Sequence, residues 1–363
     1  MTAQQASPYR DASRPLGARV EAIAKAAEPF PWLGDLSKEK ILDWIDLELP
    51  GLSKPAAPAH GGHQVIVIPF NPILHILSGN TPHAALQTLV RGTLVGAKNI
   101  LKLPANDLPD VGEFIQRLPD GLRPMIGKVL KPDWFMEAEA VVVFGSDETV
   151  QYFQQRVQPW QRFLPHGHKI SFGLISDSFD QEVVRSAAHD VCVFDQLGCL
   201  SPQFYFVDGD AKKFAEQLTD QLLATGPLIA RSWGQEVAAT LRTYREEWKF
   251  RAATEPGVRV FESPKSLDWL VIYDPQPRLE NNPLHRTVFV KPMPENLEQT
   301  LAPIRRHLST VGVYPVNPNM IELAIGLGAQ RVCSIGQMQN PPLTWHHDGW
   351  PALASLVRYV DVE

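Results

Sequence analysis

The chain is poor in cysteine, with only Cys192, Cys199 and Cys333 among 363 residues and no Cys-x-x-Cys pair. So small and odd a set excludes a disulfide framework and a cysteine-built zinc site. Long apolar runs are also missing, and none approaches the ~20 residues that a membrane helix needs. The opening "MTAQQASPYRDASRPLGARV" lacks the apolar stretch of a secretory signal. Neither sign of charge dominates: 34 Lys and Arg stand against 40 Asp and Glu, in no long block. That balance argues against a nucleic-acid surface. The expectation is a reduced, cytoplasmic protein with no nucleic-acid and no membrane partner. Two fingerprints are absent as well. No Gly-x-Gly-x-x-Gly follows a strand, and there is no Gly-x-Ser-x-Gly, which disfavours an ordinary Rossmann turn and an α/β-hydrolase.

What is present is an apolar share of 44%, in a chain long enough for about two domains. The 32 prolines are spread between short elements, and no internal repeat is visible. After a helical lead-in ending in "SKPAAPAHGGH", the strands "QVIVIPF" and "ILHILS" precede "TPHAALQTLVRGTLVGA". That last stretch has helical spacing, with Thr81 as N-cap and Pro82 at the first position. "KNILKLP" reads as a strand, and "AEAVVVFGSDETVQYFQQRV" as a strand running through Gly145-Ser146 into a helix. The second half repeats this grammar from "KISFGLI" to "QRVCSI". Strands rich in Val, Ile and Leu, alternating with helices, predict parallel sheets covered on both faces.

Two strand-to-helix turns, "LSGNTPHAAL" and "VFGSDETV", offer N–H groups that can hold a phosphate or an oxyanion. "HDVCVF" reads as a strand ending at Phe194, so Cys199 in "FDQLGCLSPQ" falls in a strand-to-helix junction. There it is either a small buried filler or, beside a helix N-terminus, a thiolate nucleophile. Cys192 and Cys333 read as core strand residues. Adjacent His346 and His347 point apart on a strand, and no further ligand lies at metal spacing, so no metal is expected. His166 and His168 fall in a loop.

Taken together, Asn80 in "SGNTP", Lys102 in "ILKLP", Gly145-Ser146 in "VVVFGSDETV" and Cys199 in "QLGCLSPQ" follow an order that resembles the aldehyde dehydrogenase superfamily. "FDQLGCLSPQ" and the closing "GQMQNPPLTWHHDGWPALASLVRYVD" resemble its acyl-CoA reductase branch, the LuxC family, over roughly 64–361. The resemblance implies an α/β fold, aldehyde-dehydrogenase-like, with two domains each built on a mainly parallel sheet covered by helices. Residues 1–63 read as a helical lead-in that the resemblance leaves unassigned; it implies a nicotinamide-cofactor domain at 64–165 and a catalytic domain at 166–335. A tail at 336–363 packs back on the core. Residue by residue, it implies Cys199 as the acylated nucleophile, Asn80 as oxyanion donor, and Lys102, Gly145 and Ser146 as cofactor-binding.

Aldehyde-oxidising members of the superfamily carry a glutamate in a Glu-Leu-Gly-Gly segment before the cysteine. Here "LPHGHKISFGLIS" has no acid. A base that activates water is needed for hydrolysis of the acyl-enzyme and not for its reduction, so the departure favours thioester reduction to an aldehyde. His168 is the candidate for proton handling. The superfamily acid that follows the lysine and favours NAD is replaced by Ala105 and Asn106, which leans the cofactor to NADPH, with NADH the alternative. The expected substrate is an acyl-CoA or carrier-bound acyl thioester, and the superfamily implies a homodimer. The competing readings are a cysteine acyltransferase or thioesterase without nicotinamide, and a non-catalytic binding subunit.

Overall fold

Short, nearly continuous apolar runs such as AVVVF of 140–144 and ISFGLI of 170–175 build two separate sheets buried on both faces. The structure, a computed structural model, describes residues 15–53, 64–106, 108–176, 178–225, 234–264 and 266–363. The predicted flexible "SKPAAPAHGGH" lies outside the described residues, apart from its first serine. The chain divides into two compact units, one of Met1–His168 with Asn340–Glu363 and one of Lys169–Gln339. The expected boundary at 165/166 thus falls at 168/169, and the tail begins at Asn340 rather than at 336.

In the first unit, all neighbours in a five-stranded sheet are parallel, in the order β4 (Met125–Gly127), β3 (Asn99–Lys102), β2 (Ile73–Ile76), β5 (Ala140–Phe144), β6 (Arg162–His166). Alternate residues face opposite ways. Ile73, Leu101, Ala140 and Val142 join one buried cluster, and Leu74, Ile100, Val141 and Val143 join another. The first cluster is closed by α1 (Leu16–Ala27), α2 (Lys38–Glu48), α4 (Pro82–Val95) and α5 (Pro109–Arg117). The second is closed by α6 (Pro132–Glu137) and α7 (Asp147–Gln154), through Phe135 and Phe153. Between α2 and β1 lies the single turn α3 (Pro50–Ser53).

Two expectations are corrected here. The lead-in is no separate segment, because Ile23, Trp44 and Ile45 of α1 and α2 are fully buried in the same core as α4. "QVIVIP" forms β1 (Gln64–Pro69) but pairs antiparallel with β14 (Val357–Val362) in a two-stranded ribbon outside the parallel sheet. His166, expected in a loop, ends strand β6 instead, and Pro165 is accommodated there because β6 is an edge strand.

The second unit holds seven strands in the order β13 (Arg331–Ser334), β12 (Leu308–Tyr314), β7 (Ile170–Ile175), β8 (Pro202–Val207), β11 (Thr287–Pro292), β10 (Leu270–Tyr273), β9 (Arg259–Glu262). Only β9 runs antiparallel to its neighbour. One face is covered by α8 (Gln181–Cys192) and α9 (Ala211–Thr225). The other is covered by α10 (Gln235–Thr254), α11 (Leu297–Leu301) and α12 (Pro318–Leu327). The strand expected at "VCVF" is absent: Val183, Val184, Ala187, Ala188 and Val191 form the buried stripe of α8, which runs on through Cys192. Helical spacing over twelve residues outweighs a short β-branched run.

Candidate active site

Parallel strands deliver their carboxyl ends to one edge, where open α/β sheets bind ligands. Along that edge of the first unit, β2 leads through Asn80 into α4, β3 ends at Lys102, and β5 leads through Gly145 and Ser146 into α7. Asn80 is exposed, Lys102 half-buried and Ser146 exposed. Thr81 is the N-cap of α4, though its side chain makes no capping bond, and Pro82 opens the helix as predicted. Ser146 caps α7, its hydroxyl accepting from Thr149 N at 3.3 Å.

Gly167, one residue past β6, is needed for a close approach. A Cβ there would meet Asp147 Oδ1 at 2.6 Å, and that carboxylate accepts the His168 backbone N–H at 2.8 Å. His168 itself is exposed, beside Glu148. The donor set suits a dinucleotide. Backbone N–H groups open α4 and α7, Lys102 ends β3, and Lys128 Nζ lies 3.5 Å from Ala105 O. No carboxylate occurs from Leu103 to Asn106.

Cys199 belongs to the second unit, in the loop that enters β8. The junction is helix-to-strand, not the predicted strand-to-helix, so no helix N-terminus follows the thiol in sequence. The loop is built by backbone conformation and a few polar ties. Phe194, Asp195 and Gln196 are all left-handed, with φ of 49°, 57° and 60°, a region costly for non-glycine residues. Gln196, fully buried, donates from Nε2 to Pro202 O at 2.8 Å and Thr287 O at 2.6 Å. Asp195 meets His285 Nδ1 at 3.0 Å and Arg286 Nε at 3.3 Å, which join a second left-handed run, Leu284–Arg286. Ser171 Oγ donates to Cys199 O at 2.8 Å. Gln339 donates to Ser201 Oγ, and its amide lies so near Gly198 that a Cβ there would come within 2.9 Å of Oε1.

The three thiols differ, and none is in a disulfide. Cys192 is buried at the end of α8, 4% exposed. Cys333 is held by burial at a pKa of about 12. Cys199 is half-buried. Asp190 braces the segment that carries Gln339, accepting from Gly336 N at 2.5 Å and Met338 N at 3.1 Å. Burial nevertheless lifts its carboxyl to about 7.

One grouping in the first unit escaped sequence reasoning. His347 and Asp348 lie in a single 3₁₀ turn with Asp348 left-handed at φ 56°, so the strand rule that set the tail histidines apart does not apply. His166, at the end of β6, donates from Nδ1 to Asp348 Oδ2 at 2.6 Å. Its ring stacks on Phe144 with centroids 4.5 Å apart and meets His347 at 4.4 Å. Burial holds His347 well below the usual imidazole range. The ligand atoms of His166, His347 and Asp348 lie within 4.8 Å of one another. Yet 2.6 Å is hydrogen-bond spacing, shorter than the ~3.4 Å between two ligands that each sit ~2.0–2.1 Å from a tetrahedral zinc. The set is a carboxylate-oriented imidazole with a neutral neighbour. "HHD" in the tail was its visible sign; the partner His166 was not deducible.

Comparisons with known proteins agree with this architecture. The profile of the acyl-CoA reductase (LuxC) family matches residues 127–359. The long-chain acyl-protein thioester reductase of Aliivibrio fischeri is 24% identical over 311 residues, 80% of this chain and 63% of that protein. The protein of the same description from Vibrio harveyi is 25% identical over 353 residues, 90% of this chain and 72% of that one. The chain therefore spans roughly two thirds of the length of these relatives. Among solved structures, lactaldehyde dehydrogenase from Escherichia coli aligns with a TM-score of 0.69 at 15% identity, covering 96% of this chain and 87% of that one. An indole-3-acetaldehyde dehydrogenase complexed with NAD+ aligns with 0.70 at 16%, covering 96% and 84%. The fold is that of the aldehyde dehydrogenases.

Proposed function

The chain belongs to the acyl-CoA reductase (LuxC) family, and on that footing we propose that it reduces an acyl thioester to an aldehyde through an acyl-enzyme on Cys199. The observation that carries this reading is the Cys199 loop. Two left-handed runs, a buried glutamine and the Gln339 tie hold a half-buried thiol in one conformation, which a space-filling cysteine does not need. The thiolate attacks the thioester carbonyl, and the Cys199 N–H and Asn80 stabilise the tetrahedral oxyanion. The substrate's thiol then leaves.

A bound nicotinamide supplies the hydride that converts the acyl group to aldehyde. Lys102, Gly145 and Ser146 hold that cofactor, and His168 handles a proton at the same edge. With Ala105 and Asn106 where the superfamily acid stands and with Lys102 and Lys128 both at that turn, a 2′-phosphate has cations to pair with, so NADPH is the proposed donor. The relatives are named as acting on acyl-protein thioesters, which favours a carrier-bound acyl group over free acyl-CoA.

The test mixes the protein with NADPH or NADH and a panel of acyl-CoAs and acyl-carrier thioesters, following nicotinamide absorbance and free thiol together. Equal loss of NADPH and gain of thiol is expected, with both abolished in Cys199→Ser. Thiol release without NADPH loss would replace this reading by acyl transfer or hydrolysis.

A further inference from the structure

A cavity of about 260 Å³ lies within the first unit, between α4, strand β6 and the tail segment 347–356. Its polar wall carries Arg91, Arg162, His166 and His347 together with Thr88 and Ser355, and no carboxylate. The remaining wall is apolar, formed by Val142, Phe163, Leu164, Leu356, Trp350 and Pro351 among others.

Arg91 is the unusual member. It is 5% exposed, and its guanidinium makes no hydrogen bond to any described residue, with Nε and Nη2 both buried and unpartnered. Burial lowers its pKa to about 10, opposed by Glu48 and Asp348, so it remains a cation at neutral pH. Neither carboxylate satisfies it. Glu48 accepts from Trp44 Nε1 at 2.7 Å and from the N–H groups of Leu353 and Ala354 at 2.7 and 3.1 Å. Asp348 gives only Oδ2 to His166, and its Oδ1 makes no hydrogen bond to Arg91. A buried guanidinium without an acceptor is costly, and the group it matches best is a carboxylate.

We propose that this cavity binds a monocarboxylate bearing a short apolar chain, with its head on Arg91 and its chain along the Leu164–Leu356–Val142 wall. A second carboxylate or a phosphate would leave charge against the apolar wall. The apolar part of the lining is confined to a handful of side chains, which suits a short chain, and hexanoate is the probe chosen to represent it. His347 lies near His83 and Asp348, and His166 donates to Asp348, so the two imidazoles border the head-group region with Asp348 behind them.

Titration calorimetry and thermal melting of the intact protein with hexanoate, 1-hexanol and acetate test this. Hexanoate is expected to bind saturably and raise the melting temperature as free ligand rises above Kd, while the alcohol and the two-carbon acid do so weakly or not at all. Arg91→Met is expected to weaken hexanoate binding about 10- to 100-fold, the range for a hydrogen-bonded charge. Should that variant fail to fold, exposed Arg162→Gln is the substitute and is expected to weaken binding several-fold. Absence of saturable hexanoate binding by the unmodified protein overturns the proposal. So does equal binding of hexanol or acetate, or unchanged affinity in whichever variant folds.

Discussion

At the scale of single residues, chemistry is decided by how much water each group keeps. The three cysteines are alike in sequence, yet Cys192 is shut into the end of α8 and burial drives the Cys333 thiol to about 12. Cys199 and Cys333 are both half-buried, so the raised Cys333 thiol, and not access alone, separates them. Iodoacetamide followed by peptide mapping is expected to label Cys199 first, and Cys199→Ala to remove the fast phase; rapid labelling of Cys333 would contradict the burial argument. "QLGCLSPQ" alone left Cys199 between filler and nucleophile, and its candidacy came from the resemblance carried by Asn80, Lys102 and Gly145-Ser146 beside it. The His166–Asp348 pair was not legible, since its members lie 182 positions apart and neither strand alternation nor helical spacing links them.

At the scale of elements, the loop entering β8 is shaped by polar ties rather than by apolar packing. Gln196 alone donates to two buried carbonyls, one in β8 and one in β11. Gln196→Met keeps the bulk and removes both donors. It is expected to lower unfolding free energy by about 1–3 kcal/mol, the cost of taking this donor from the buried Pro202 carbonyl, since Thr287 O keeps a second donor in Asn282 Nδ2 at 2.7 Å, and to slow thiol release at Cys199. Urea denaturation alongside a thiol assay checks both; unchanged values would mean that the left-handed run is held without it. Most elements were legible because period and length agree, as in α4, α10 and the run of strands. The exceptions have separate causes. α8 carries a valine pair beside its terminal cysteine that imitates a strand, and β6 carries a proline that imitates a loop. For α8, burial of its apolar stripe outweighs the local signal; for β6, the edge position leaves room for a residue without an N–H.

At the scale of the whole molecule, the two units carry buried titratable groups of opposite effect. In the first, burial lowers His75 from 6.5 to about 4 and holds His347 well below its usual range. Folded-state pKa values below the unfolded ones mean that the unfolded chain takes up protons first, so this stability is present above 6.5 and is lost as pH falls towards 4. In the second, burial raises Asp190 from 3.8 to about 7. The folded state there retains the proton, so its contribution is lost as pH rises across that interval. Hydrogen exchange corrected for intrinsic rates is expected to show the first unit better protected at pH 7.5 than at pH 5. The Asp190 contribution in the second unit should change in the opposite direction, and Asp190→Asn should flatten it. A uniform response of both units would refute the assignment. By itself the sequence determined the α/β class, the alternation of strands with helices and the candidacy of Asn80, Lys102, Gly145, Ser146 and Cys199, because these rest on local periodicity and short motifs. Only the tertiary structure decided that α1 and α2 complete the first core, that β1 leaves the parallel sheet for the chain's last strand, and that His166, His347 and Arg91 gather around one cavity. Those outcomes depend on which distant surfaces bury each other, and burial sets both the packing and the charge state of what it encloses.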